Sequence, residues 1–470
     1  MELFLNFEQY KEEIYDKKHL SKDSYGNRPK SRIHFDMPLD ALSAFSLVSN
    51  PDKVTKHWFL PFIGFEQNIR KIRDHNGLSR RKAKIRPLRY SANKDGYIYA
   101  YYSYALDKQY ENLIKGSPLD NAVLAYRSLG KSNVDFAKEV FNWIDQTTGC
   151  NVLTIDLSSF FDTLDHGILK KQWQKVNGVN SLSKDNYMVF KSLTHYSFLN
   201  IEDALVALEW PDRLTRKSLN KGIPNPLRKE TSARHESMKD FRSIRKHKFI
   251  NTDGTFKYLI QIPEKIAGKR YGIPQGSPMS AILSNIYMLD FDEYCCNLMA
   301  QVSGIYRRYC DDIIVVFPKS TSIDEIYNEL ERSLHIYDGQ QLKINPSKVE
   351  KIQFREKSGK LTAVDITTGV YKPLQYLGFI YDGKKVLIRS SSLSNYYRRL
   401  VSKVRASKNK AKRNRTIVYR RKIYRMYSHL ARKQRNFITY AYKASETMDN
   451  VLIKKQLSNH WKRIHDELKK

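Results

Sequence analysis

"RRYCDDIIVVF", residues 307–317, sets two adjacent acids, Asp311 and Asp312, directly before the apolar run Ile313, Ile314, Val315, Val316 and Phe317. A β-branched apolar run of this length reads as a buried strand. Residues 306–309 read as its partner across a tight hairpin turn that carries the acids. Neighbouring carboxylates repel each other, and burial raises the cost of keeping both ionised. A cation therefore has to stand beside them.

Two further segments bear on which cation. In "TIDLSSFFDTLDH" (154–166), Asp156 is a carboxylate at the end of a second apolar strand. "GIPQGSPMSAILSNIYM" (272–288) runs from a rigid Gly/Pro turn into a helix, with Ala281, Ser284 and Asn285 keeping one face small. Two strands that deliver carboxylates to one point suit a pair of magnesium ions about 3.5–4 Å apart, which activate an attacking hydroxyl and stabilise a leaving pyrophosphate. Magnesium takes a few carboxylates plus substrate phosphates, which fits three Asp and no surrounding His. Taken singly, each segment is ordinary: a solvated turn, a helix cap, a loop. Their combination is not.

Composition bounds the rest. The 470 residues call for two or three packed subdomains, and 41% hydrophobic residues exclude a disordered chain. A formal charge of +33 points to a polyanionic partner, most often nucleic acid. The four cysteines, Cys150, Cys295, Cys296 and Cys310, form no CxxC pair, which argues against zinc and structural disulfides. The first residues lack the apolar core of a signal peptide, and no apolar run spans a bilayer. A cytoplasmic protein with no membrane partner is expected.

In chain order, "TIDLSSFFDTLDH", "GIPQGSPMSAILSNIYM" and "RYCDDIIVVF" resemble motifs A, B and C of reverse transcriptases, the bacterial group in particular. "LKINPSKVEKIQF" (342–354) resembles motif D, "LQYLGFIYDGKKV" (374–386) the motif E hairpin, and "KAKIRPLRYSA" (82–92) with "AYRSLGKS" (125–132) the fingers motifs. The resemblance implies an α+β right-hand polymerase with fingers, a ferredoxin-like palm and a helical thumb, copying RNA into DNA. The organisation expected is an N-terminal extension over 1–75, fingers over 76–150 and palm with motif A over 151–175. A helical insertion over 176–265 follows, then palm motifs B to E over 266–385 and a basic thumb over 386–470.

Carried over by position, Asp156 and Asp311 resemble the metal-bridging carboxylates and Asp312 the auxiliary one, with the Leu157 carbonyl completing the shell of two Mg2+ ions, for which Mn2+ could substitute. Phe161 falls where the family places the steric gate against a ribose 2′-OH. Gln275 and Gly276 match residues against the incoming dNTP and template. Lys84 and Arg86, with Arg89 beside them, are candidate triphosphate clamps, since a polyanionic leaving group needs cations beyond the metals. Lys348 matches the lysine proposed to protonate pyrophosphate, and as a residue alone it could equally be solvated. Cys310 reads as a small, buried, non-catalytic residue.

No Asp or Glu occurs from residue 383 to 445, whereas Lys and Arg recur throughout. Leu393, Tyr397, Leu400 and Val404 keep helical spacing, as do Ile423, Met426, Tyr427 and Leu430, then Ile453, Leu457, Trp461, Ile464 and Leu468. Three amphipathic helices are expected, with Arg413, Arg415, Arg420 and Arg421 on phosphates in sequence-blind contacts. The tyrosines of "GYIYAYYSYAL" (96–106) and the 176–265 segment are candidates for stacking on RNA bases, or for packing a fingers helix. That segment also resembles the defence-associated "unknown group" of bacterial enzymes, some of which use a dedicated non-coding RNA. The partners implied are a structured RNA template, a DNA product and dNTPs, with homo-oligomers left open. A retron-type or intron-derived enzyme, or a non-catalytic RNA-binding relic, are the alternatives.

Overall fold

Long apolar β-branched runs need burial on both faces, and the strands that carry them lie inside a central sheet. The computed structural model describes His34, Asp36 and residues 38–470, apart from 76–77, 148, 202, 204–247, 251–255, 266–267, 339–341, 358 and 432–435. Residues 1–33 of the expected extension and most of the expected 176–265 insertion lie outside these described residues. The chain forms two compact units. One comprises 1–120, 158–293 and 334–343; the other comprises 121–157, 294–333 and 344–470. The α+β class expected from the sequence is the class observed.

The first unit holds a long antiparallel hairpin, β1 (Phe62–His75) and β2 (Leu78–Tyr90), paired from Ile63↔Tyr90 to His75↔Leu78. The expected division at residue 75 falls in this hairpin's turn, because the basic residues of "RRKAKIRPLRY" alternate along a strand. The helix Asn93–Ile114 follows, and its tyrosines correct one expectation. Tyr97, Tyr99, Tyr101 and Tyr102 are all buried. Tyr99 stacks on Phe59 and Phe62, and the Tyr102 hydroxyl donates to Asp185 Oδ2 at 2.5 Å. They are core residues, with the hydroxyls of Tyr97, Tyr99 and Tyr102 hydrogen-bonded, so they offer no open faces to RNA bases.

The second unit is built on an antiparallel sheet. In it, β3 (Cys150–Ser158), β4 (Ile305–Tyr309), β5 (Asp312–Pro318), β6 (Glu350–Lys357) and β7 (Lys360–Asp365) run in the order β7-β6-β3-β5-β4. The apolar strands β3 and β5 are central, as their burial pattern requires. The helix Asn133–Gln146, opened by a Ser132/Asp135 capping box, covers one face with Val140, Phe141 and Ile144. A meander of β8 (Leu374–Tyr376), β9 (Phe379–Tyr381) and β10 (Val386–Ile388) follows.

The basic C-terminal region joins the same apolar cluster: Leu400, Val404, Ile423, Ile453, Leu457 and Ile464 are continuous with Val152, Ile314, Val316 and Phe354. Where three helices were expected, the described residues hold five α-helices: Ser390–Arg413, Arg420–Tyr427, Phe437–Thr447, Leu452–Lys455 and His460–Lys469. Phe437–Thr447 was hidden among tyrosines and small residues. Its start is marked by Asn436, which accepts from the Thr439 amide at 2.9 Å.

The helix Asn93–Ile114 starts without a cap of its own, because Ala92 offers no side-chain acceptor. Asp36 supplies one from afar, accepting from the Asn93 amide at 2.8 Å and the Lys94 amide at 2.9 Å. Burial pushes its carboxyl up, but the hydrogen bond and charge of His34 and the two amides outweigh this and hold it down to about 2. A depressed carboxyl contributes stability that is present above about pH 4 and lost as pH falls towards 2. Asp36→Ala is expected to cost about 1–2 kcal/mol at pH 7. Denaturant melts should show the gap to the parent narrowing between pH 5 and pH 2; a gap independent of pH refutes the capping role.

Candidate active site

Strand register decides where the acids meet. Asp156 in β3 lies directly opposite Asp312, the first residue of β5. Asp312 also pairs with Tyr309 of β4, which leaves Cys310 and Asp311 as a two-residue turn. The backbone then ties turn to strand: the Leu157 amide donates to the Asp311 carbonyl at 3.0 Å. Register-paired side chains stand about 5 Å apart at Cβ, so the pairing sets the two carboxyl groups beside each other.

The cation of the opening question is partly present as a side chain. Lys348 Nζ forms an ion pair with Asp156 Oδ1. Its loop is anchored to the same residue, since the Asn345 amide donates to the Asp156 carbonyl at 2.8 Å. Asn345 also accepts from the Ser347 amide and so shapes the 3-10 turn Pro346–Lys348. Among the described residues no three His, Cys, Asp or Glu side chains form a ready-made metal cage. Two facing carboxylates with a lysine ammonium against one of them fit instead a divalent ion that takes part of its shell from substrate.

The candidates Lys84, Arg86, Arg89, Phe161, Gln275 and Gly276 lie in the first unit, where the backbone joins several of them. The Ile273 amide donates to the Phe161 carbonyl at 2.8 Å, and the Arg89 amide donates to the Gln275 carbonyl at 2.7 Å. Gly276 has φ +103°, and a Cβ there would stand 3.2 Å from the Arg89 carbonyl oxygen. Only glycine tolerates both conditions. Phe161, Gln275, Gly276 and the end of β2 are thus laced together. Phe160 is buried and Phe161 half-buried, with ring centroids 5.4 Å apart.

Arg86 is exposed and lies opposite Gln67, and Lys84 lies opposite Ile69, its side chain outside the described residues. Arg89 is otherwise engaged. Its guanidinium lies 3.9 Å over the Phe198 ring, and burial lowers its pKa. In the second unit Arg413, Arg415, Arg420 and Arg421 are all exposed. Sequence reasoning missed Asn345 and Arg308. The signal for Arg308 was a basic residue in the inward phase of "IYRRY", whose burial alternates along β4.

Residues 236–381 match the family model described as "Reverse transcriptase (RNA-dependent DNA polymerase)". That segment of the chain is similar to a reverse transcriptase domain. The match takes in the turn of Asp311 and Asp312, Gln275 and Lys348, and stops short of Asp156. No curated protein matches the chain. Among solved structures, apo telomerase from Candida tropicalis truncated from its C-terminal domain is 12% identical, with 72% of this chain and 58% of that chain covered at a TM-score of 0.40. Telomerase from Candida albicans in complex with a TWJ fragment of telomeric RNA is 13% identical, with 94% and 69% covered at a TM-score of 0.38. The chain thus spans 58% of the first of these structures.

Asp312 is exposed at the start of its strand, beside Asp311 and opposite Asp156. Burial first, then the charges of Asp311 and Asp156 and the hydrogen bond with Asp156, push its carboxyl up to about 7, against the pull of Lys348. In the unfolded chain it titrates near the ordinary carboxylate value of about 4. Stability from the protonated form is therefore full below about pH 4 and lost as pH rises through about 7. Without divalent cations, Asp312→Asn should raise the Tm most at pH 8 and least at pH 4.5. A shift in Tm that is the same at both pH values refutes the assignment.

Proposed function

We propose that the chain is an RNA-directed DNA polymerase that adds dNTPs to a primer hydroxyl by nucleotidyl transfer. In that reaction the hydroxyl oxygen bonds to the α-phosphorus, the bond from that phosphorus to the pyrophosphate oxygen breaks, and the hydroxyl proton departs. The observation that carries the reading is the register pair Asp156↔Asp312, with Asp311 on the adjoining turn and Lys348 on Asp156. Asp156, Asp311 and Asp312, with the Leu157 carbonyl, would hold two Mg2+ ions, or Mn2+ in their place. Such ions lower the pKa of the attacking hydroxyl and neutralise charge on the leaving group.

The remaining roles follow from chemistry at stated atoms. Lys348 Nζ supplies a proton to the pyrophosphate, and its present contact with Asp156 shows that its loop reaches that carboxylate. Lys84 and Arg86 balance the triphosphate charge. Phe161 blocks a 2′ oxygen, and Gln275 and Gly276 line the nucleotide and template. Arg413, Arg415, Arg420 and Arg421 grip phosphates, a role supported by their exposure and by the acid-free stretch around them. The template we infer is a structured non-coding RNA, and the biological role antiviral defence in a bacterium. The charge of +33 supports the RNA partner, and the role rests on the resemblance of the 176–265 segment.

Asp311→Asn should abolish Mg2+-dependent extension of a primed RNA template, with the Tm held within a few degrees. DNA synthesis at the parent rate by that variant sinks the two-metal assignment. A separate measurement addresses sugar choice. Phe161→Ala should raise rNTP incorporation relative to dNTP by tenfold or more (an order-of-magnitude expectation for a lost steric contact, about 1.4 kcal/mol). An unchanged ratio makes Phe161 a packing residue.

A further inference from the structure

Arg308 has no part in the chemistry above, yet the fold goes to some length to keep it. It shares the inward phase of β4 with Tyr306 and is 0% exposed. A guanidinium stays protonated at any physiological pH and loses its hydration on burial, so it persists in a core only where its donors are used. One use is plain: Nη1 donates to the Cys310 carbonyl at 3.1 Å. Arg308 is itself held, since its carbonyl accepts from the Leu124 amide at 2.9 Å and Val123 bridges beside it. From that same segment, the Tyr126 hydroxyl donates to Cys310 Sγ at 3.4 Å.

What is being held is unusual. Cys310 has φ +61°, the left-handed region that residues with a side chain avoid, and it directly precedes the acid pair. The next carbonyl, that of Asp311, is fixed by the Leu157 amide. Successive carbonyls of the turn are therefore pinned from two sides, one by a buried cation and one by the neighbouring strand.

We propose that Arg308 is a positioning residue, whose guanidinium locks Cys310 in the left-handed conformation and so sets where Asp311 and Asp312 stand opposite Asp156. Its consequence for catalysis rests on the polymerase reading; its consequence for cation binding does not. The test compares the parent with Arg308→Gln, Arg308→Lys and the double variant Arg308→Gln/Cys310→Gly. Mn2+ affinity is measured by calorimetry without substrate, and kcat and dNTP KM by primer extension.

Arg308→Gln should lose about tenfold or more in both Mn2+ affinity and kcat, with dNTP KM within about twofold, as expected when ligand geometry rather than substrate binding is disturbed. Arg308→Lys keeps a buried cation without the planar fork and should fall between that variant and the parent. Glycine at 310 adopts the left-handed conformation freely and should restore part of the Mn2+ affinity. Parent-like Mn2+ affinity in the folded Gln variant, or no recovery in the double variant, overturns the proposal. If the Gln variant fails to fold, parent-like Mn2+ affinity in the Lys variant overturns it. A parent that binds Mn2+ and makes no DNA removes the polymerase reading, and the Mn2+ comparison still decides the role of Arg308.

Discussion

Two carboxylates facing each other across a pair of antiparallel strands are a standing electrostatic cost, and the second unit is organised around meeting it. Asp156 and Asp312 cannot separate, because the apolar runs behind them fix the register: a one-residue slip would turn each strand's side chains to the opposite face. They cannot be left bare either, because low-dielectric surroundings strengthen repulsion. The chain answers with an Asp312 carboxyl whose pKa is pushed up, with the ammonium of Lys348, and with a turn whose carbonyls are tied down on both sides. On the two-metal reading proposed above, a bound divalent cation would take the place of the lysine and offer a charge that suits every acid at once.

A loop distant in the chain converges on one residue. The Asn345 amide and the Lys348 ammonium both end on Asp156, one on its carbonyl and one on its carboxylate. A displacement of the Asn345–Lys348 loop is therefore felt by the acid directly. The turn of Cys310 and Asp311 stands in the same relation to β3 through the Leu157 amide. Local stiffness at each point comes from short-range chemistry: an Asn that shapes a 3-10 turn, and a buried arginine beneath a strained cysteine.

The strands and the acids were legible because their signal is local. A β-branched run preceded by acids announces both its burial and its boundary, and the Gly/Pro turn of 272–278 announces a loop. Lys348 was legible only as a residue type, since its partner lies far off in the chain and pairing across such a distance leaves no local periodicity. Arg308 was passed over because a basic residue in a strand is ordinarily solvent-facing, and only the inward phase of "IYRRY" betrays it. The tyrosines of 96–106 were left between two readings, RNA stacking and helix packing, for the opposite reason. An aromatic ring with a hydroxyl serves equally in a core or on a nucleic-acid face, and Asp185, which receives the Tyr102 hydroxyl, is again distant in sequence. Phe437–Thr447 escaped because alanines and tyrosines blur the contrast between apolar and polar faces.

The continuity of the apolar cluster from Val152 and Ile314 to Leu400 and Ile464 has a consequence for how this protein fails. The helices bearing Arg413 and Arg420 are not an appendage clipped onto the sheet; they are the other wall of its interior. Heat or a cavity in that interior releases the strands that hold Asp156 and the basic helices together, as one cooperative event. Damage to the far C-terminal helix His460–Lys469, which buries Ile464, then loosens the strands that carry Asp156 and Asp312 as well as the basic helices. A fragment cut between residues 385 and 390 would expose the underside of those strands, an apolar face of the kind that drives aggregation.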